Sequence, residues 1–233
     1  MTITGFTLHH FPASRSARVL WALYETTEAP VDIETVDLYG GALFRPAFRA
    51  LNPNHAVPTL EIRRADGSRQ VMIESGAIVA FLGDAYPEKH LAPPPGDSAA
   101  RADYMQMLFF TAAHVDMSLW QIRVHEHLLP EAEKDEATIA RYRAKMREEI
   151  EPQLLARLAS GGYACGDDFT LADCLLAHAV TWARGYGLAQ DDGFRAYLSR
   201  CSKRPAFLKA FADARAFKLA PADDSAVKAH FSG

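Results

Sequence analysis

The chain has 233 residues, enough for one large domain or two small ones, and its 49% hydrophobic and 23% charged residues are the balance of a globular protein rather than a disordered one. A net charge of −4 argues against nucleic acid as the main partner, since phosphate binding calls for a basic face. Residues 1–11 carry neither a basic start nor a long apolar core, and no run approaches the length of a membrane span, so the expectation is a cytoplasmic chain with no membrane partner.

In chain order, residues 4–11 are a short apolar run ending at Pro12, which reads as a buried strand. From 14 to 26, Val19, Leu20, Ala22 and Leu23 fall at helical spacing. Residues 31–38 alternate as a second strand. Residues 59–62 and 70–73 flank Asp66-Gly67, a turn pair that makes them an antiparallel hairpin. A helix should follow from 75 to about 84, with Ala77, Ile78, Phe81 and Leu82 inward. Strand, helix, strand, irregular segment, hairpin and helix make a compact α/β layer structure.

The consecutive prolines of Ala92-Pro93-Pro94-Pro95-Gly96-Asp97 can continue neither helix nor sheet, so they mark a linker. The expected division is a first domain over 1–88, a linker over 89–97, an all-helical domain over 98–219 and a loose tail over 220–233. Long helices are predicted over 98–119 and 134–158, the second broken by Gly161-Gly162. Thr170-Leu171-Ala172-Asp173 opens a third as a variant of the capping box, and 194–201 and 205–217 complete the bundle. Cys165, Cys174 and Cys201 are scattered with no C-x-x-C, which suits small buried apolar residues.

The chemistry narrows by elimination. His125-Glu126-His127, with His114 upstream, has a spacing of two that puts its histidines on different helix faces, so no metal site is expected. Gly40-Gly41 and Gly161-Gly162 lack a phosphate-loop frame. No nucleophile elbow surrounds Ser14, Ser16, Ser75 or Ser118.

Three patterns in the first domain remain. In Pro12-Ala13-Ser14-Arg15-Ser16-Ala17-Arg18-Val19 a strand gives way to a helix, and a serine there is either a plain N-cap or part of a site for an anion or thiolate. In Asn52-Pro53-Asn54-His55-Ala56-Val57-Pro58-Thr59-Leu60, Val-Pro leads into a strand; a cis bond there would turn the Val57 backbone outward to pair with a peptide-like ligand, while a plain turn is the alternative. In Ile73-Glu74-Ser75-Gly76, a strand runs into a helix start, either as a cap or as a place where Ser75 and its N–H groups meet a carboxylate and Glu74 an ammonium.

In this order, with Leu91-Ala92-Pro93, Phe169-Thr170-Leu171-Ala172-Asp173 and Arg204-Pro205-Ala206-Phe207 following, the patterns resemble the cytosolic glutathione transferase family over residues 5–217. The resemblance is to bacterial, serine-type members with a Ser-Arg-Ser opening. It implies a thioredoxin-like α/β N-terminal domain, an all-α C-terminal bundle, and glutathione as co-substrate with no metal. Val57 would pair by backbone with the cysteinyl part of glutathione, Pro58 would be cis, and Glu74 and Ser75 would hold the γ-glutamyl end. Six residues before Val19, where serine-type members usually carry the thiol-contacting hydroxyl, this chain has Ala13, which makes Ser14 the candidate and Ser16 the second choice. Ala56 stands where the family often has Lys or Gln near the glycine carboxylate, so His55 becomes the candidate there, against its plain reading as a surface histidine. Tyr24 lies too far inside the first helix to replace the serine, and the first domain has no cysteine.

The implied activity is a glutathione transferase: the thiol ionises and attacks a small apolar electrophile. Phe11, Pro12, Tyr104, Met107, Leu108, Phe110 and His114 are candidate walls for that electrophile, shared with the helical core. The same thiolate serves a glutathione-dependent isomerase or peroxide reductase, and a non-catalytic glutathione-binding module is the alternative outside enzymes. The family also implies a homodimer.

Overall fold

In a computed structural model of the chain, which describes residues 2–216, the apolar N-terminal run becomes the strand Ile3–His10 (β1), followed by the helix Arg15–Thr26 (α1) and the strand Val31–Thr35 (β2). β2 runs parallel to β1, with Phe6 opposite Val31 and His10 opposite Thr35. It ends earlier than the alternation suggests, because Val36 packs instead with Phe48 and Val57 in a small cluster of its own. The strands Thr59–Arg64 (β3) and Arg69–Ile73 (β4) form the hairpin. Gly67 takes φ 82° in its turn, where Asp66 accepts from the Ser68 N–H at 2.9 Å. The sheet order is β2-β1-β3-β4, with β1 antiparallel to β3, the mixed sheet of a thioredoxin-like domain.

Alternation on β1 sorts two faces. Phe6, Leu8 and His10 point one way and are fully buried, with Leu60 and Ile62 of β3 beside them. Val19, Leu20 and Leu23 of α1, and Ile78, Val79 and Leu82 of the helix Ser75–Ala85 (α3), complete this core. The opposite face is polar: His9 lies 2.9 Å from Glu61 and 3.5 Å from Glu34, and Arg63 pairs with Asp32 at 2.8 Å. A six-residue helix, Pro46–Leu51 (α2), covers one end of that face, Phe48 meeting the His9 ring edge-on at 5.7 Å. The sequence pattern does not announce α2, which is too short to show a helical period.

Beyond the prolines everything is helical. Ala99–Phe110 (α4) starts on a Ser98 cap and continues through a π turn, Thr111–Val115, into Asp116–Arg123 (α5) and a second π turn, Val124–Leu128. Glu136–Lys145 (α6) likewise runs through Met146–Ile150 into Glu151–Gly161 (α7). Both rods are longer than periodicity suggests. The third π turn has a local cause, since Pro152 donates no N–H and its ring crowds the carbonyl four residues back. Gly162, at φ 84°, ends α7. Leu171–Gly185 (α8), Asp192–Cys201 (α9) and Pro205–Ala210 (α10) close the bundle. The expected tail over 220–233 lies outside the described residues. Among the described residues, no helix is long and apolar enough to cross a membrane.

The three cysteines are unpaired thiols; burial pushes Cys165 and Cys201 up to about 12 and Cys174 well above its ordinary value, so all three are thiols rather than thiolates at neutral pH.

The sequence motif at residue 170 becomes a complete capping box: the Thr170 side chain takes the N3 backbone N–H, and Asp173 Oδ2 accepts from the Thr170 N–H at 2.9 Å. Asp173 Oδ1 also accepts from the Ala164 N–H at 2.7 Å and from the Tyr197 hydroxyl at 2.9 Å. Removing this carboxylate strands two buried donors and a half-buried one, so Asp173→Ala should cost more than an ordinary cap, about 3 kcal/mol or more. Urea unfolding of the variant checks this, and a loss near 1 kcal/mol would mean that water replaces the carboxylate.

Candidate functional site

The geometry begins where β1 hands over to α1. Ala13 sits at φ 53°, a left-handed conformation that costs an alanine of the order of 1 kcal/mol and turns the chain sharply into the helix. Ser14 is the N-cap, extended, its Oγ accepting from the Ser16 N–H at 3.3 Å and donating to the Phe11 carbonyl at 2.8 Å. The second candidate, Ser16, is wholly buried, whereas Ser14 is half-buried. Arg15, the first helical residue, is half-buried with its guanidinium 5.1 Å over the Trp120 ring. Burial lowers the Arg15 pKa, with the charges of Asp116 and Glu74 opposing it and those of Arg18 and Arg123 adding to it.

Arg15 borders a pocket whose sides come from two loops. On one side are Asn52, Asn54 and the backbone from Ala56 to Pro58; on the other are Glu74 and Ser75. The Val57–Pro58 peptide bond is cis. Asn52 is buried and braces this loop: its Nδ2 donates to the Ala56 carbonyl at 2.7 Å and to Thr59 Oγ1 at 3.1 Å, while its Oδ1 accepts from the Asn54 N–H at 3.0 Å. His55 takes φ 41° and sets its ring 5.2 Å from Phe44, while its neighbours Asn54 and Ala56 line the pocket. Across the pocket Glu74 adopts φ 68°, strained for a residue with a Cβ, and Ser75 begins α3. The structure therefore gathers Val57, Pro58, Glu74 and Ser75 around one space, with Ser14 a residue from its edge.

The candidate electrophile walls divide. Phe11 is half-exposed and meets Tyr39 edge-on at 5.3 Å; His114 is exposed, its ring 5.4 Å from the half-buried Phe110. Pro12, Tyr104, Met107 and Leu108 are buried, the last three inside the main core, so they offer little surface to a ligand. Trp120 of α5, under the Arg15 guanidinium, carries no mark in the sequence beyond its helical spacing.

Three contacts that sequence reasoning missed hold this geometry. Arg18 of α1 and Asp116 of α5 form a two-pronged ion pair in which both side chains are almost fully buried. His178 of α8 bonds through Nε2 to the Ala13 carbonyl at 3.1 Å, pinning the strained residue from behind. Asn52 braces the cis-proline loop. The first two are single polar residues in otherwise apolar helical stretches, a weak cue for a buried partner; the third could have been found as the asparagine opening an Asn-x-Asn turn. Among the described residues, no group of three His, Cys, Asp or Glu side chains is placed to hold a metal ion.

Residues 8–90 match the family model described as glutathione S-transferase, N-terminal domain, and residues 102–205 match glutathione S-transferase, C-terminal domain. The chain is 31% identical over 212 residues to a maleylpyruvate isomerase of a Ralstonia species, covering 87% of this chain and 95% of that protein. It is 31% identical over 163 residues to the GST-like protein YncG of Escherichia coli, covering 70% of this chain and 73% of the other. Among solved structures, the theta class glutathione S-transferase of Xanthomonas axonopodis pv. citri, with glutathione bound, superposes with a TM-score of 0.70 at 26% identity over 90% of this chain and 98% of the other.

Burial, with the Arg18 charge adding to it, lowers the His178 pKa to about 4. The unfolded chain therefore binds the extra proton more readily than the folded one, and the contribution of this residue is intact above pH about 6.5 and lost as pH falls towards about 4. Wild type should lose about 3 kcal/mol more than His178→Gln across that window. Urea unfolding at both ends measures the difference; equal losses would show that the imidazole protonates freely in the folded state.

Proposed function

The chain belongs to the glutathione S-transferase family, and we propose that it binds glutathione across the Val57, Glu74 and Ser75 pocket, ionises the thiol at the start of α1 and delivers the sulfur to an electrophile. The observation that carries this reading is the convergence of the cis Val57–Pro58 loop, Glu74 at positive φ and Ser75 at the start of α3 on one small space bordered by Arg15, the residue that follows the capping Ser14. A γ-glutamyl group brings an ammonium for Glu74 and a carboxylate for Ser75 and the N–H groups of α3. The Val57 backbone can pair with the cysteinyl peptide. Arg15 supplies positive charge for an anion, and Asn54 and the neighbouring His55 stand on the side where the glycine end would lie.

A free thiol of pKa near 8.5 is only a few per cent ionised at neutral pH. The Ser14 hydroxyl, the first turn of α1 and Arg15 all favour the anion, and lowering the pKa by about two units needs roughly 2.7 kcal/mol, which one charge-assisted hydrogen bond with a helix end supplies. The electrophile would enter beside Phe11, His114 and Trp120. Of the two finer readings, transfer and isomerisation, the second is supported by the near full-length similarity to maleylpyruvate isomerase: a thiolate that adds to a double bond and leaves again isomerises it without net transfer.

We further propose that the chain acts in the cytoplasm, whose reducing conditions suit three free thiols, and that it dimerises. Phe109 of α4 is 66% exposed and Val71 of the edge strand β4 is 40% exposed, apolar surface that a second copy would cover.

Ultraviolet difference titration of bound glutathione tests the activation. Wild type should show thiolate with an apparent pKa well below the free value, and Ser14→Ala should raise it by about one to two units, lowering kcat/KM about 10- to 100-fold. Ser75→Ala should raise the KM for glutathione and leave kcat nearly intact, as for lost uniform binding. Binding without an ionised thiol would leave a binding module; no binding would remove the reading altogether.

A further inference from the structure

Behind Ser14 a series of hydrogen bonds runs across the first domain to the C-terminal segment. Ser14 Oγ lies 2.8 Å from Ser16 Oγ. Ser16 Oγ lies 2.8 Å from His10 Nδ1. His10 Nε2 lies 3.1 Å from Asp213 Oδ2, on the segment after α10. His10 and Ser16 are fully buried, whereas Asp213 is near half exposed. A histidine placed for packing alone need not be engaged at both nitrogens, and His178 is not, its Nδ1 having no partner among the described residues.

With Asp213 accepting from Nε2–H, the neutral imidazole presents a bare Nδ1, which accepts from the Ser16 hydroxyl. Ser16 Oγ accepts from the Phe11 N–H at 3.0 Å. The Ser14 hydroxyl rests on the Phe11 carbonyl at 2.8 Å, an oxygen that also lies 3.2 Å from Ser16 Oγ, and turns to Ser16 Oγ, 2.8 Å away, as the thiol proton arrives. Ser14 is then the outermost hydroxyl of a chain whose inner end is a base. The wholly buried Ser16 cannot itself be a nucleophile.

We propose that His10 takes up the proton of the glutathione thiol, by way of Ser14 and Ser16, with Asp213 holding the imidazole in the tautomer that receives it. This rests on the reading of the pocket as a glutathione site with Ser14 at the thiol. The S–H bond breaks as its proton passes to Ser14 Oγ. The proton of Ser14 passes to Ser16 Oγ, and that of Ser16 to His10 Nδ1. Each hydroxyl gives one proton and gains one, sulfur keeps the bonding pair, and the imidazolium that forms faces the Asp213 carboxylate. After transfer every hydroxyl points outward, so Ser14 donates to the thiolate. A carboxylate–imidazole pair serves serine nucleophiles in the same way; here it acts as a positioning and proton-holding pair for a bound thiol.

The electrostatics around His10 act in two directions. Burial lowers its pKa, which keeps the imidazole neutral before the thiol binds, and the charge and hydrogen bond of Asp213 oppose the shift, so the imidazolium depends on Asp213. Asp213 is the charged group facing it among the described residues. From α1 it meets the neutral hydroxyl of Ser16, and on the β2 side the Val36 N–H, which donates to its carbonyl. Tyr24 of α1 feels the Asp213 charge, and Lys209 of α10 lies 3.8 Å over the Tyr24 ring.

The test counts protons. Wild type at neutral pH is mixed with glutathione or with S-methylglutathione, which lacks the thiol proton, while thiolate absorbance and proton release are recorded and the His10 ring is observed by 15N NMR. Thiolate should form with much less than one proton released per site. Both ring nitrogens of His10 should become protonated with glutathione and stay as they were with S-methylglutathione. Asp213→Asn, a change near the surface that keeps the fold even if a His10 variant does not, should raise the apparent thiol pKa by about one unit. His10→Gln should raise it further, with each remaining thiolate releasing its proton to solvent. One proton released per thiolate in wild type, or a His10 ring unchanged by glutathione, overturns the relay and leaves the glutathione site standing. Failure to bind either ligand overturns the site as well.

Discussion

Arg18 and Asp116 set the relation between the two domains. Both charges are out of water, and Arg18 Nε has no partner among the described residues, so desolvation offsets much of the attraction between them. What the pair supplies is direction. A forked guanidinium meeting a carboxylate through two nitrogens fixes the rotation of α1 against α5, because any other rotation strands a buried charge at a cost of about 3–5 kcal/mol. The start of α1 carries Ser14 and Arg15, so the same constraint places the capping hydroxyl and brings the Arg15 guanidinium over Trp120. The cleft is thus defined from within the core.

Around that fixed helix the site collects backbone conformations that cost energy locally. Ala13 and Glu74 both sit at positive φ, and His55 does too. Each strained residue has a brace: His178 on the Ala13 carbonyl, Asn52 on the loop that includes His55, and for Glu74 the opening turn of α3, where its carbonyl accepts from the Ile78 N–H. Strain of about 1–3 kcal/mol at one residue persists only where its surroundings over-determine it. The buried His178, with one nitrogen unpartnered, is itself an element whose cost is accepted for the position of one carbonyl.

The fold was legible because its signals are local. The Asp66-Gly67 turn, the proline run and the Thr170–Asp173 box each act within a few residues, and each appears in the structure where the sequence puts it. The loop ends Val57-Pro58 and Glu74-Ser75 were legible too, and the sheet brings them to one candidate pocket. Arg18, Asn52 and His178 were not legible as parts of it, because their roles depend on partners that only tertiary structure supplies; Asp116 and Arg18 are 98 residues apart. The electrophile walls were harder still. Tyr104, Met107 and Leu108 share an apolar period with every core helix, and periodicity does not separate a residue facing a cleft from one facing the bundle.

The Arg204-Pro205-Ala206-Phe207 motif proves to be one side of an interaction with the first helix. Glu25, at the end of α1, and Arg204, just before α10, pair through two hydrogen bonds of 2.6 and 2.7 Å, with Trp21 Nε1 donating to the same carboxylate at 2.8 Å and Arg204 lying 3.8 Å over the Phe169 ring. The pair anchors the last helix against the far end of α1 and so fixes the segment beyond it, which carries Asp213 to His10. α1 is therefore held at the close of its first turn by the helical domain through Asp116 on Arg18, at its end by Arg204, and through His10 and Ser16 its start is joined to Asp213. A second domain that merely covered the cleft would need none of these polar anchors. All three converge on the helix whose first turn follows the capping serine, so on the proposed reading the helical domain would take part in setting the chemistry of the thiol.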